Sequence, residues 1–467
     1  MSDTSHLKFL LLLSFPILLT SCYTAKEYAR PEAEVLTAGY YRTDSLVRDS
    51  QSLALVSWRE LFTDPYLQSY IQEGLDSNID IRTAVRQIAI AQAYVDQVRL
   101  SNRPTLDGTL QYTRSQLSKN SQFGGFFSSL DQYQLSGTLS WEADIWDRIK
   151  SSQRAQAARY LQSVAAHRAV KSRLVASIAS TYYDLLAVDE QRRITERTIA
   201  NRKNSLETTR ALKDAGSVTE VGVKQTEAQI YTARAILIDL NLRAHLLENT
   251  LSLLLGTDPR EFPRSSLESQ LLPDELRTGV PAQLLANRPD VAATEYALVE
   301  AFELTNVAKA DFYPALRLSA TAGLQSLTLG DFFNPTSFFA TLVGGLTRPL
   351  IDGRNIKTQY AVSQLQREQA VLDFRSAVLS AGREVTDALY SYEAADEKIG
   401  VKQQELEAYD LATAYSEELL ANGYANYLEV LRARENALGT SLDLVNAKNN
   451  RLQAIVDLYG ALGGGWR

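Results

Sequence analysis

The chain is poor in the residues from which metal centres, disulfide frameworks and most catalytic sites are built. Its 467 residues include one cysteine, three histidines and one methionine. A single cysteine cannot form an internal disulfide, and so few cysteines and histidines leave no material for a zinc cluster. No glycine-rich phosphate loop precedes a helix, and no Ser/His/Asp set is recognisable. We therefore expect no enzyme, no cofactor and no metal site.

Charge and hydropathy exclude two further classes of protein. The formal net charge is −7, so no global basic field attracts nucleic acid, and we expect no nucleic-acid partner. After residue 22, no apolar run reaches the ~18 residues that a membrane-spanning helix needs. Any passage through a bilayer would therefore have to use β-strands.

The only cysteine follows an apolar run near the start of the chain. The run from Phe9 to Leu19 has the length of a signal-peptide core and is too short to span a membrane. It ends in Leu19-Thr-Ser-Cys22, which resembles the lipobox of bacterial lipoproteins. This pattern predicts a signal peptide over residues 1–21, with Cys22 as an acylated mature N-terminus. The alternative is an ordinary signal peptide with a coincidental cysteine.

The sequence contains an internal duplication. One constant offset of 207 residues pairs Ile149 with Ile356, Gly216 with Gly423, and Leu255-Gly256 with Leu462-Gly463. Upstream, an offset of 210 pairs Pro104 with Pro314, so the length difference falls between these prolines and the long repeat. Glycines and prolines that recur at a fixed offset are strong evidence for a structural repeat.

Each copy begins with two short segments in which apolar and polar residues alternate. Alternation with a period of two predicts β-strands, and each run has the ~10 residues that a tilted transmembrane strand needs. Four strands cannot close a barrel, and an open edge is not tolerated in lipid. Other copies must complete it: two chains would give eight strands and three would give twelve. The predicted strands cover about 105–116, 132–142, 315–326 and 337–347.

Long proline-free stretches follow each pair of strands. No proline lies between Pro104 and Pro259 or after Pro349, and helix-forming residues dominate both stretches. Gly216 and Gly423 interrupt them, so each copy is predicted to form an antiparallel helical hairpin. Thr219 and Asn426 can cap the returning helices. Helices of ~65 residues, or ~100 Å, must bury a stripe against neighbouring helices.

The domain organisation follows the repeat. A strap or linker precedes the first copy, a proline-punctuated connector separates the copies, and a short tail ends the chain. The predicted bounds are 22–64 for the strap, 65–256 for the first repeat with its hairpin at about 147–255, 257–288 for the connector, 289–463 for the second repeat with its hairpin at about 354–462, and 464–467 for the tail.

Several motifs resemble those of the outer membrane factors of tripartite efflux pumps, the TolC-like channels. The resemblance covers essentially the whole mature chain and is greatest to the lipoprotein branch that serves resistance-nodulation-division exporters. The motifs that carry it are Trp141–Arg148, Leu284–Val291 with its Arg288-Pro-Asp core, Phe312–Leu316, Pro349–Gly353 and Ala461–Trp466.

The resemblance implies a mostly α fold with a transmembrane β-barrel. Three chains would together form a trimeric α-barrel of long helical hairpins, joined to a 12-stranded β-barrel with four strands from each chain. The homotrimer would lie in outer-membrane lipid, anchored at Cys22, with a long periplasmic helical extension. Its expected partners are a periplasmic adaptor, or membrane fusion, protein and an inner-membrane exporter. Its expected function is passive conduction of drugs and other small molecules to the exterior.

The resemblance also places a gate and a docking site at the helical turns. Similar channels close through an apolar ring and an acidic ring on the helix after the second turn, which matches Leu428, Glu429 and Arg432. Arg432 departs from the aspartate common in the family, so it either faces the pore or lies on a solvated outer face. The candidate adaptor contacts at the two tips are Asp214, Gly216, Gly423 and Tyr424.

Two alternative functions fit parts of the sequence. The same fold could serve as an exit duct for type I protein secretion, although lipidation and the Arg288-Pro-Asp motif favour drug efflux. The chain could instead be a structural lipoprotein that spans the periplasm without a pore, although the alternating strands argue against this. The sequence does not identify the transported compounds, the particular adaptor or the pump.

Overall fold

The computed structural model describes most of the chain in two compact units. Cys22 and the predicted signal peptide lie outside the described residues. Among the residues that are described, no helix combines the length and the apolar character needed to cross a membrane. The described ranges are 25–31, 52–120, 125–126, 128–271, 278–279 and 283–467.

Each compact unit takes residues from both copies of the repeat. The predicted boundaries follow the order of the sequence, whereas the units group segments that are distant in the chain. The first unit comprises Met1–Pro31, Ile88–Gln162 and Thr294–Asp373, and the second comprises Glu32–Gln87, Ser163–Ala293 and Phe374–Arg467.

Seven long helices and four strands account for most of the described residues. The helices are α1 (Pro65–Ser77), α2 (Ile79–Leu100), α3 (Arg148–Asp214), α4 (Glu220–Leu255), α5 (Pro289–Ala310), α6 (Asn355–Ala421) and α7 (Tyr427–Ala461). The strands are β1 (Thr105–Gln116), β2 (Ser129–Ala143), β3 (Ala315–Ser326) and β4 (Phe338–Thr347). Strand β2 begins three residues before the range that the alternation predicts, and β4 begins one residue after it. Single-turn helices also form at Trp58–Leu61 and Leu284–Asn287.

The four strands form one antiparallel sheet in the order β1-β2-β3-β4. Its register places Leu106, Leu139, Ala320 and Leu342 side by side on one face. Leu106 is 73% exposed and Leu342 is 79% exposed, so this apolar face has no cover within the described chain. Among the described residues, strands β1 and β4 each pair on one side only, which leaves the sheet with two open edges.

The two long helices that follow the strands begin in the same way. Helices α3 and α6 each contain 67 residues. The side chain of Asp144 accepts a hydrogen bond from the amide of Ile149, and that of Asp352 accepts one from Ile356, both at 2.9 Å. A carboxylate near a helix N-terminus satisfies otherwise unpaired amides and stabilises the helix dipole.

The returning helices also end alike, at glycines held close to another segment of backbone. Gly256 has φ of 71° and Gly463 has φ of 91°. A side-chain carbon at Gly256 would lie 2.9 Å from the Ser77 carbonyl oxygen, and one at Gly463 would lie 2.5 Å from that of Asn287. Both positions therefore require glycine, for its left-handed backbone and for its lack of a side chain.

A second pair of contacts repeats with different residue types. The Asn78 side-chain amide donates to the Leu254 carbonyl at 2.8 Å, and Arg288 Nη1 donates to the Ala461 carbonyl at 3.1 Å. Asn78 and Arg288 differ by the 210-residue offset, and the two carbonyls differ by the 207-residue offset. The duplication is therefore retained in three-dimensional contacts even where the side chains have diverged.

The contacts of Arg288 explain what the Arg288-Pro-Asp motif does in the fold. Its guanidinium also binds Asp290, with Nε 3.0 Å from Oδ1, and Glu384, with Nη1 2.5 Å from Oε2. The side chain is 9% exposed, so these bonds satisfy a buried charge. The motif joins the start of α5 to α6 and to the end of α7.

One buried carboxylate links the start of α1 to other segments of the second unit. Asp64 caps α1, because its Oδ1 accepts a hydrogen bond from the Tyr66 amide at 2.8 Å. Its other oxygen accepts from the Tyr182 hydroxyl at 2.9 Å and from the Gln270 side chain at 2.8 Å. This carboxylate therefore ties α1 and α3 to the connector that follows α4.

Candidate functional site

The two turns between the long helices have the same backbone geometry. Gly216 and Gly423 adopt φ of 80° and 76°. The amide of Ser217 donates to the Leu212 carbonyl at 2.9 Å, and the amide of Tyr424 donates to the Leu419 carbonyl at 2.8 Å. This is the Schellman arrangement, in which a left-handed residue closes the last helical turn.

The turns differ in how the returning helix is capped. The Asn426 side chain accepts from the Leu428 amide at 3.1 Å and caps α7, as predicted. Thr219 occupies the corresponding position before α4, but its side chain makes no capping hydrogen bond, so that prediction was wrong. Instead, Lys213 and Glu220 form an exposed ion pair at 2.9 Å across the first turn. Exposed ion pairs contribute little stability, so the first tip is held less firmly by its cap.

The tip residues named as candidate adaptor contacts are all exposed. Asp214 and Gly216 lie at the first turn, while Gly423 and Tyr424 lie at the second. Tyr424 is 83% exposed and therefore presents an aromatic surface at the second tip.

The candidate gate residues share the exposed side of the start of α7. Leu428 is 43% exposed, and Glu429 and Arg432 are also exposed. Within the described part of the chain, no carboxylate lies within ion-pair distance of Arg432, so Glu429 does not pair with it. The intervening positions form the buried side of the helix: Tyr427, Val430, Leu431 and Ala433.

Tyr427 forms a polar contact that the sequence did not single out. Its ring is buried, and its hydroxyl bonds the hydroxyl of Thr209 on α3 at 3.2 Å and makes a short bond to that of Thr226 on α4. Gly222 on α4 lies beside the ring: a side-chain carbon there would be in ordinary contact with the ring at 3.4 Å, but only 2.7 Å from the Val218 side chain. The first residue of α7 is thus tied to both helices of the first hairpin.

Arg434 forms a second polar contact two turns further along α7. Its Nη1 donates to Ser205 on α3 at 2.6 Å, and its Nε donates to Glu417 on α6 at 2.8 Å. Nearby, Arg202 of α3 is buried, donates to the Gln229 carbonyl of α4 at 2.6 Å, and has a pKa lowered by burial. Below the tips, therefore, polar side chains join the two hairpins.

Sequence reasoning could have found Tyr427 only in part. A tyrosine directly after a capping asparagine, with its neighbour Leu428 on the opposite side of the helix, indicates a buried ring. The hydroxyl partners lie about 200 residues away, on helices whose rotation the sequence pattern does not specify.

The comparisons with known proteins identify the class. The family model for outer membrane efflux proteins matches residues 70–257 and 280–464, and the chain belongs to this family. The members are transport channels of the outer membrane rather than enzymes, and they work with an adaptor and an inner-membrane pump. The predicted family, function and non-enzymatic character are confirmed.

Individual relatives cover nearly the whole chain. The solvent efflux pump outer membrane protein SrpC of Pseudomonas putida is 28% identical over 455 residues, covering 96% of this chain and 97% of that protein. The probable outer membrane lipoprotein SilC of Salmonella typhimurium is 26% identical, with 98% of each covered. The open-state crystal structure of the Neisseria gonorrhoeae MtrE outer membrane channel aligns with a TM-score of 0.84 and 26% identity, covering 96% of this chain and 99% of that one. The predicted fold class is that of such channels.

Replacing Tyr427 with phenylalanine tests the contact between the hairpins. The change removes only the buried hydroxyl and leaves Thr209 and Thr226 without that partner, which should cost about 1–2 kcal/mol locally. We expect faster amide hydrogen exchange in the last turns of α3 and at the start of α7. Tyr424→Phe is the matched control, because its side chain is exposed. Equal exchange in both variants would show that the Tyr427 hydroxyl does not hold the hairpins together.

Proposed function

We propose that three copies of this chain form the exit duct of a tripartite efflux system in the outer membrane. Substrates enter at the helical tips from an adaptor–pump complex, pass along a water-filled tunnel and leave through a strand barrel. The duct performs no chemistry, so its selectivity rests on aperture and on the residues that line its path.

The observation that carries this proposal is the open, apolar-faced sheet. Four strands with exposed leucines and two unpaired edges cannot persist alone in lipid, because every unpaired backbone group there costs several kcal/mol. Three such sheets joined edge to edge would give a closed barrel of twelve strands. Each chain would contribute two helical hairpins to the tunnel. Three chains would therefore give the tunnel and the strand barrel the same threefold symmetry.

A lipid anchor at Cys22 is part of the proposal. The relative SilC is itself described as a probable outer membrane lipoprotein. The first described segment after Cys22, residues 25–31, lies along α5. Arg30 binds Glu295 at 2.6 Å, the Tyr28 ring packs on Phe302 at 5.7 Å, and the Asn306 side chain donates to the Lys26 carbonyl at 3.0 Å. This docked strap would hold the anchor close to the first unit.

Cys22→Ser should abolish incorporation of labelled palmitate into the protein, because the acylated thiol is lost. The expected companion result is a protein that still folds, since residues 25–31 keep their contacts with α5. Arg30→Ala is the control, because it breaks the docked strap but leaves the acylation site intact and should still be labelled. Palmitate incorporation that survives Cys22→Ser would contradict the assignment of the anchor.

The gate would lie where α7 begins. Three Leu428 side chains around the axis would form an apolar constriction, and the exposed Glu429 and Arg432 would lie beside it. Three Arg432 guanidinium groups near one axis would repel each other. We therefore propose that each pairs with a carboxylate from a neighbouring copy, such as Glu429, so that the ring is held closed by alternating charges.

The variant Leu428→Ser/Arg432→Ala should open this gate. It removes both the apolar ring and the charged ring, so single-channel conductance should rise and large polar antibiotics should enter cells that lack the pump. The matched control is Leu246→Ser/Arg243→Ala, which changes the same residue types at exposed positions of α4. Conductance equal to that of the wild type would remove the gate assignment, whereas loss of all conductance would contradict the duct itself.

A further inference from the structure

A recess at the helix-proximal end of the sheet has an excess of positive charge. It encloses about 520 Å³ within the first unit, beside the start of α3 and the ends of strands β1, β2 and β3. We call it the junction recess, and the residues that define it are Arg103, Trp141, Glu142, Arg148, Arg317 and Leu318.

One carboxylate is shared by two of the three arginines. Glu142 Oε1 accepts from Arg148 Nη2 at 2.7 Å, and Glu142 Oε2 accepts from Arg317 Nε at 3.3 Å. Glu142 and Arg317 are directly opposite each other in the register of β2 and β3. Asp311, outside the recess, also interacts electrostatically with Arg148. Two carboxylates therefore face three arginines once Arg103 is counted, which leaves one positive charge in excess.

The arginines retain unused donors. Arg103 has no carboxylate within ion-pair distance among the described residues. Arg317 uses only Nε towards Glu142, so both of its Nη groups remain available, and Arg148 keeps Nη1. Planar guanidinium groups with free Nη donors match the oxygen atoms of carboxylate, sulfonate and phosphate groups.

The polar face of the sheet leads into this recess. Ser140 and Glu142 alternate with Trp141 along β2, and their register partners are Ser319 and Arg317. Further along the same face, the hydroxyls of Thr138 and Thr321 bond at 3.0 Å. If the opposite, leucine-bearing face meets lipid, this face meets the water of the duct, and the recess lies on the path of the solute.

We propose that the junction recess is a binding site for anionic groups on transported solutes. Its ligands would carry a carboxylate, sulfonate or phosphate group for the arginines. An excess of positive charge at a partly enclosed wall raises the local concentration of anions. This inference rests on the proposed duct and adds a solute preference to it.

The test uses the full chain in planar bilayers, with reversal potentials measured across a KCl gradient at or below about 0.1 M salt, where screening is moderate. Arg103→Gln/Arg317→Gln should lower the chloride-to-potassium permeability ratio at least about twofold, because the focusing charges are lost. Arg99→Gln/Arg114→Gln is the control, because it removes two exposed arginines outside the recess and changes net charge equally. The control should leave the ratio unchanged.

A second measurement probes binding directly. Benzenesulfonate should reduce the wild-type conductance in a saturable way, and the double variant should need at least about tenfold more of it, which corresponds to about 1.4 kcal/mol. Arg317→Lys keeps the positive charge but loses the planar guanidinium group. It should therefore retain the permeability ratio but weaken inhibition by benzenesulfonate. If the double variant does not insert, the single variants Arg103→Gln and Arg317→Gln give the same comparison.

The outcomes separate the inference from the function on which it rests. A conducting wild-type channel whose selectivity and block are the same in both double variants would overturn the inference alone. A wild-type protein without conductance would overturn the duct and the inference with it. Repeating the measurement with and without phosphatidylglycerol separates the sources of the anion: block that disappears only in the anionic bilayer would assign the recess to lipid headgroups instead.

Discussion

The sheet cannot pair the backbone N–H and C=O groups along its own two edges, and the rest of the molecule depends on this constraint. In the described part of the chain, strands β1 and β4 each have one unpaired side, and most leucines of the apolar face are exposed. In water such a sheet would aggregate, and in lipid its edges would be too costly, because neither medium can cover both defects. The proposed assembly with sister chains would cover both defects.

Much of this fold could be predicted from the sequence because it is periodic and duplicated. The constant offset located both 67-residue helices, and alternation located the strands. The structure adds that the repeat is retained in backbone contacts rather than in side chains. Asn78 and Arg288 donate to equivalent carbonyls although one is an amide and the other a buried guanidinium. Sequence comparison alone would score this pair as a mismatch.

The candidate site was predictable only where local rules apply. The turns at Gly216 and Gly423 follow from glycine's tolerance of positive φ, and Asn426 follows from capping preference. Thr219 fails as a cap although the same rule favours it. The contacts of Tyr427 and Arg434 join helices of the second repeat to helices of the first repeat in the same chain. They therefore depend on how each helix is rotated and on partners that are distant in the sequence. The junction recess likewise combines the ends of three strands with the start of a helix, so no short sequence motif indicates it.

The most direct test of the central claim is the mass of the mature protein in detergent, measured by native mass spectrometry. We expect a single species of three chains, because three four-stranded sheets would close a twelve-stranded barrel. Two chains would give eight strands, so a stable dimer would contradict the threefold duct. A lone chain that stays soluble without detergent would contradict the claim entirely, because it would show that the leucine face and the open edges need no partner.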